Sequence, residues 1–352
     1  MDKKLKLAFI GCGYMGQTAH IANYVNLPNV EIVGLSDLRV ATAEEVSRKY
    51  SIPKVYPSHK EMLESSGAEA IVAIMGFALH HGLVPDVLSA GKHCLTEKPI
   101  AITKESGEKL VNLATTKNVV YQIAYMKRSD PGSVFTKKKI GDWKTSGEAG
   151  KFNYLRVSMP PGDWTMGARV LVNQKDKPVG KNVFNPETYP SWMDETMGKR
   201  YVAFVNYYIH QVNMIRYLLG EDYTVKYVDP KGMVMLGESV SGITIVLEMA
   251  TYNTGTGVWN EFYSAQFDNG KIDLSLPAPM AKLPAGNVRV FINNPTGNGA
   301  VTLPVVSQKW SMAEQARYFV DSVLNGTPCI SPAVDAVKDL DVAEQVVKLI
   351  YK

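Results

Sequence analysis

With 352 residues, 45% of them hydrophobic and 20% charged, the chain is longer than one ordinary core supports and globular in composition, so two domains are expected. The net charge of +4 comes without a dense Lys/Arg block, which removes any electrostatic case for nucleic acid and leaves a mild preference for an anionic ligand. Three scattered cysteines, Cys12, Cys94 and Cys329, predict neither a disulfide frame nor a metal site and fit a reducing, cytoplasmic setting. No apolar run reaches bilayer length, so no membrane partner is expected.

Taken in chain order, residues 5–10 form a β-rich run that stops at Gly11 and leads into a helix ending near Tyr24. Residues 31–35 predict a second strand, 41–50 a helix and 70–74 a continuous buried-type strand. A helix over 81–90 is closed by Gly91, and a short strand 93–95, a helix 104–117 and a strand 119–124 follow. Short apolar strands alternating with helices predict a doubly wound parallel sheet. After Tyr125 the pattern changes. Residues 151–158 alternate like a sheet strand, 160–200 read as a long irregular insertion carrying Trp164, Tyr189 and Trp192, and 201–219 form an apolar helix. Asp268-Asn269-Gly270 then joins two strands as a hairpin, and helices over 312–324 and 333–350 close the chain. The expected division is a nucleotide-binding domain over 1–125 and a second, mostly antiparallel domain over 126–352, with the closing helices of 309–352 packing back on the first.

Gly11-Cys12-Gly13-Tyr14-Met15-Gly16 is a G-x-G-x-x-G turn between a strand and a helix, and Asp37 ends the next strand. The order has a physical basis. The first glycine permits the tight turn, the second lets backbone approach a pyrophosphate, and the third allows close helix–strand packing. The helix N-terminus offers free N–H groups and a positive dipole end to phosphates. Asp37 accepts hydrogen bonds from ribose hydroxyls and repels a 2′-phosphate, selecting NAD over NADP, although Arg39, two residues on, is a potential partner for that phosphate.

Two further features suggest chemistry. Lys98 in Thr96-Glu97-Lys98-Pro99 follows a strand, at the carboxyl edge where open α/β sheets bind ligands, and Pro99 holds its backbone extended. As a residue type alone, a lysine there is as readily a surface cation. On the helix 201–219, Asn206, His210, Asn213 and Tyr217 fall on one narrow polar stripe within an otherwise apolar surface. Such a stripe must meet a partner or a wet cleft, and a structural histidine in a satisfied core network is the competing reading.

These residues together resemble the Gfo/Idh/MocA oxidoreductases. Gly11 to Gly16, Asp37, Ala90-Gly91-Lys92-His93 running into Glu97-Lys98-Pro99, Lys127-Arg128-Ser129-Asp130-Pro131, and Asn206 to His210 match the family's landmarks in order. The resemblance implies a Rossmann domain followed by an open antiparallel sheet. It implies cofactor contacts from the glycine turn, Asp37, Gly76, His81, Glu97 and Lys98, with Arg39 beside them, and substrate contacts from Lys98, Asn206 and His210; from the residues themselves, Trp164, Tyr189 and Trp192 are candidates to stack on a sugar ring or to pack, and Lys127 and Arg128 to meet an acidic substituent, the cofactor or solvent. It also implies Lys98 and His210 facing a nicotinamide, with His210 as acid/base, and a homo-oligomer, dimeric or tetrameric through the outer sheet face. Asn206 stands where members usually carry Asp, Gly76-Phe77 where they carry Thr-Pro, and Tyr208 where they carry Gly.

The expected activity is NAD-dependent hydride transfer at a hydroxyl-bearing carbon of a sugar or cyclitol. His210 takes the hydroxyl proton, Lys98 stabilises the oxygen and Asn206 orients one of them. Two alternatives stand beside it. One is an NAD-dependent glycosidase or lyase working by transient oxidation and elimination; the other is a non-catalytic dinucleotide-binding regulator.

Overall fold

The computed structural model describes residues 3–172, 175–179, 184–249, 252, 258–294 and 297–352. Its Cα atoms cluster into two compact units. The first holds residues through Tyr125 together with Ala168–Asn206 and Met312–Leu340; the second holds Met126–Gly167, Tyr207–Ser311 and Asp341–Lys352.

The first unit is built on β1 (Leu5–Ile10), a π-helical turn (Gly16–Ile21) running into α1 (Ala22–Tyr24), β2 (Val30–Ser36) and α2 (Val40–Tyr50). β3 (Val55–Tyr56), α3 (His59–Ser65), β4 (Ala70–Ala73) and α4 (His80–Ser89) follow. β5 (His93–Thr96), α5 (Lys104–Thr116) and β6 (Tyr121–Ile123) complete the repeat. All six strands pair in parallel in the order β3-β2-β1-β4-β5-β6. The order reverses between β1 and β4, and such a switch point opens a crevice at the carboxyl ends of the strands. Leu5, Leu7, Phe9, Leu35 and Val72 fill the core with Phe319 and Val320. Helix starts are set by short polar side chains: Ser58 accepts from the Glu61 amide, and Thr103 from the Ser106 amide.

The second unit adds α6 (Pro131–Ser146) and β7 (Phe152–Ser158), followed by α7 (Glu195–Leu219), whose first part belongs to the first unit. β8 (Tyr223–Val228), β9 (Val234–Ser239), β10 (Thr244–Glu248), β11 (Glu261–Phe267) and β12 (Gly270–Leu276) come next. β13 (Asn287–Asn293), β14 (Gly299–Thr302), α8 (Ser311–Asn325) and α9 (Ala333–Ile350) end the chain. The sheet runs β14-β13-β12-β11-β7-β10-β9-β8 and is antiparallel except where β7 meets β10. The predicted hairpin is present, Asn269 lying between β11 and β12. The Rossmann-type parallel sheet and the mostly antiparallel second sheet are the architecture expected from the sequence.

The compact units cut across the expected boundary at 125, since 168–206 and 312–340 fall in the first unit and bond to its elements; two further expectations need correction. The Tyr14 hydroxyl donates to Ala168 O at 2.9 Å, Gln17 and Val172 exchange hydrogen bonds, and Ile123 N donates to Ser331 O. α6 was missed altogether, since its lysine-rich face hides the period. Its punctuation is nevertheless explicit: Asp130 accepts from the Gly132 and Ser133 amides, Pro131 opens the helix, and Gly147 closes it at φ 71°. α7 begins six residues earlier than Tyr201, at Glu195.

Candidate active site

The glycine turn lies at the carboxyl end of β1, directly at the switch point. Gly11 has φ +88°, and a Cβ there would meet Ile74 O at 1.9 Å; a Cβ on Gly16 would meet Gly11 O at 2.7 Å. Both positions are glycine because the protein's own backbone fills the space. Gly13 differs: a Cβ on it would meet only an Arg39 nitrogen, at 3.4 Å. Internal packing therefore does not demand glycine at 13, and a ligand approaching the backbone does. The turn with its helix start thus fits a dinucleotide pyrophosphate. The Cys12 side chain is fully buried, and burial raises its thiol pKa, so it is packing and not a nucleophile.

Asp37 is tied into this turn. Its carboxylate accepts from the Cys12 amide at 2.7 Å and the Arg39 amide at 2.8 Å, with the Arg39 guanidinium at 3.4 Å. Arg39 is thus committed to Asp37. On the other side of the switch point Gly76 has open space around it, and the His81 ring bonds Ala78 O at 3.0 Å.

The Glu97–Lys98 turn is fixed from three directions. His20, buried in the π-helical segment, pairs with Glu97 at 2.8 Å, and Glu97 accepts from the Lys98 amide. Burial pushes the Glu97 carboxyl up, but the hydrogen bond from His20 and the charges of His20 and Lys98 outweigh it and hold the group below its ordinary range. On the far side His80 is fully buried and bonds Pro99 O and Ile100 O through Nδ1; burial lowers its pKa to about 4 and keeps the ring neutral. Tyr201 of α7 donates to Ile102 O at 2.7 Å, and Lys98 Nζ donates to the main-chain carbonyl of Asn206 at 2.5 Å. The predicted role of Asn206 rested on its side chain, which is exposed, while the contact to Lys98 uses its carbonyl. No side-chain pattern reveals a main-chain acceptor. A signal for His20 was present in the sequence, four residues after Gly16 on the glycine-turn helix.

Within the second unit, the polar stripe of α7 grades from half-buried His210 to fully buried Asn213. Arg128 donates to Asn213 Oδ1 at 2.6 Å and stacks over the Tyr217 ring at 5.1 Å. Lys127 is paired with Glu261, which also accepts from Gln211, Trp259 and Tyr263. Lys127 and Arg128, expected at the substrate, are 5% and 2% exposed and bonded to Glu261 and Asn213. Trp164 is partly exposed, and its carbonyl accepts from the Met280 amide. Tyr189, a candidate stacking residue, instead packs flat on α7: a Cβ on Gly198 would meet its ring at 2.3 Å. Among the described residues no helix is long and apolar enough to cross a membrane, and no group of three or more His, Cys, Asp or Glu is arranged to hold a metal.

The model of an oxidoreductase family with an NAD-binding Rossmann fold, Gfo/Idh/MocA, matches residues 5–125. An inositol 2-dehydrogenase/D-chiro-inositol 3-dehydrogenase of Lacticaseibacillus casei is 26% identical over 223 residues, 62% of this chain and 54% of that protein. An NAD(+) scyllo-inositol 2-dehydrogenase of Bacillus subtilis is 27% identical over 157 residues, 44% of each chain. The chain thus spans about half the length of the curated relatives it matches. Among solved structures, UDP-N-acetylglucosamine 3-dehydrogenase of Acidithiobacillus ferrooxidans superposes with a TM-score of 0.70 at 16% identity, covering 98% of this chain and 97% of that one, a likeness of fold. Residues 5–125, with their glycine turn and their Glu97-Lys98-Pro99 segment, are thus similar to the NAD-binding domain of the Gfo/Idh/MocA oxidoreductases.

Proposed function

We propose that the protein is an NAD-dependent dehydrogenase that moves hydride between the nicotinamide and a hydroxyl-bearing carbon of a cyclitol or sugar. One observation carries the reading: the Lys98 ammonium, at the carboxyl edge of the family-matched sheet, is held by the Asn206 carbonyl one helical turn before His210 on the same continuous helix. The bound cofactor supplies the hydride-accepting carbon; alignment and charge come from the chain. Lys98, anchored through Glu97 and His20 below it, donates a hydrogen bond to the substrate oxygen and stabilises the negative charge that grows there. His210 Nε2 takes the hydroxyl proton, an imidazole being able to serve both directions of transfer near neutral pH. Asn206 contributes by fixing the ammonium through its carbonyl. The cyclitol class is drawn from the inositol dehydrogenases that the chain resembles.

The test is a panel of myo-, scyllo- and D-chiro-inositol with free and nucleotide-linked sugars, each incubated with NAD and followed at the absorbance band of reduced nicotinamide. A dehydrogenase accumulates one reduced cofactor per product. Turnover without net reduction replaces the reading with oxidation-assisted elimination, and dinucleotide binding without turnover on any substrate replaces it with a regulator.

A further inference from the structure

Ala168, Val172, Asp176 and Val179, all in the first unit, each bond to the glycine-turn helix or to the segment between β2 and α2. Ala168 and Val172 take Tyr14 and Gln17 of the glycine-turn helix, and Val179 N donates to Leu38 O at 2.7 Å just beyond Asp37. Between them Asp176 faces the start of α2, where its carboxylate accepts from the Thr42 hydroxyl at 2.5 Å and the Thr42 amide at 3.2 Å. That helix has Arg39 as its cap and no side-chain cap of its own. Its first donors lie next to the Asp37–Arg39 pair, at the place where a Rossmann fold meets the adenosine ribose.

We propose that Asp176 is a second specificity-determining acid of the cofactor site, which excludes a 2′-phosphate by occupying the donors such a phosphate requires. This inference rests on the NAD-dehydrogenase reading and deepens it. In an NADP enzyme an arginine after the second strand and the amides beginning the following helix hold the phosphate. Here Arg39 is engaged by Asp37, and the Thr42 donors are engaged by Asp176. The hydrogen bond from the Thr42 hydroxyl holds the Asp176 carboxyl below its usual range, so it is ionised at working pH. One guanidinium faces two carboxylates, and a dianionic phosphate entering there displaces one of them and meets the charge of both.

The competing account makes Asp176 a helix cap and nothing more, and Asp176→Asn separates the two. Asparagine keeps an acceptor for Thr42 but loses the charge. Dissociation constants for NAD and NADP are measured by calorimetry on the unaltered protein, on Asp176→Asn and on Asp176→Glu. The expected result is a rise of at least about tenfold in affinity for NADP relative to NAD in Asp176→Asn, with NAD itself changed little and Asp176→Glu restoring the original preference. Parallel loss of both affinities, or an unchanged ratio, overturns the inference and leaves the dehydrogenase reading intact. A preference of the unaltered protein for NADP also overturns it. Binding of neither dinucleotide by the unaltered protein ends both.

Discussion

Two lysines, both near the end of a parallel strand in this chain, have opposite surroundings. Lys98 is half-buried, and its ammonium donates to the main-chain carbonyl of Asn206. Lys127 is buried against the Glu261 carboxylate, with Trp259 at 5.8 Å beneath its ammonium. Burial lowers the Lys127 pKa, and the glutamate opposes that shift. The difference lies in the partner: a carboxylate neutralises a lysine, whereas a carbonyl aims it. A cation adjacent to a strand end therefore reads as catalytic or structural only after its acceptor is known.

The contrast is sharpened most by replacing each lysine with methionine. Lys98→Met is expected to reduce kcat on the order of a thousandfold with NAD affinity within about threefold, measured by steady-state kinetics and calorimetry. Near-normal turnover in that variant breaks the comparison at its catalytic end. Lys127→Met leaves Glu261 buried and uncompensated and is expected to cost about 3 to 4 kcal/mol of stability in urea unfolding. Its kcat per folded molecule stays close to normal, and Glu261→Met in the same background recovers most of the loss. A selective fall in kcat without a fall in stability places Lys127 in the chemistry after all.

The Lys98 turn has its own pH signature through His80. A histidine whose folded pKa is lowered to about 4 gives up stability on acidification, because the unfolded chain binds a proton that the folded one refuses. The contribution is complete above about pH 6.5, declines below it and amounts to no more than about 3 kcal/mol by pH 4. His80→Asn, which keeps a donor for Pro99 O and Ile100 O, should flatten the fall in melting temperature between pH 7 and pH 4.5; an unchanged slope assigns it to other groups. The smallest effect concerns the turn itself. Gly13→Ala should weaken NAD binding by about tenfold with little change in melting temperature. Gly11→Ala, which collides with Ile74 O, should unfold the domain instead.

How legible each part was follows from the same distinction. Five of the six strands of the parallel sheet, the glycine turn and Asp37 were readable because local sequence marks them: short apolar runs, a glycine spacing and an acid at a strand end; β3, two residues long, carries no such pattern. α6 was hidden because its surface is charged on most sides, although Asp130-Pro131 and Gly147 marked both ends. The acceptors of Lys127 and Arg128, Glu261 and Asn213, were not legible because they lie more than eighty residues away in the chain. The hold on Lys98 was unreadable in principle, since a main-chain carbonyl is present at every position.

The parallel pairing of β7 with β10 has a consequence for how the protein comes into being. β7 ends at Ser158, yet its parallel neighbour is complete only at Glu248 and its other neighbour, β11, at Phe267. At a ribosomal rate of roughly 5–20 residues per second, β7 waits on the order of several seconds to tens of seconds with both edges bare. The side chains of Phe152, Leu155 and Val157, buried in the finished fold, are exposed meanwhile. Chaperone demand and mispairing during synthesis should therefore concentrate on this one strand, and faster elongation through residues 159–267 should raise the soluble yield.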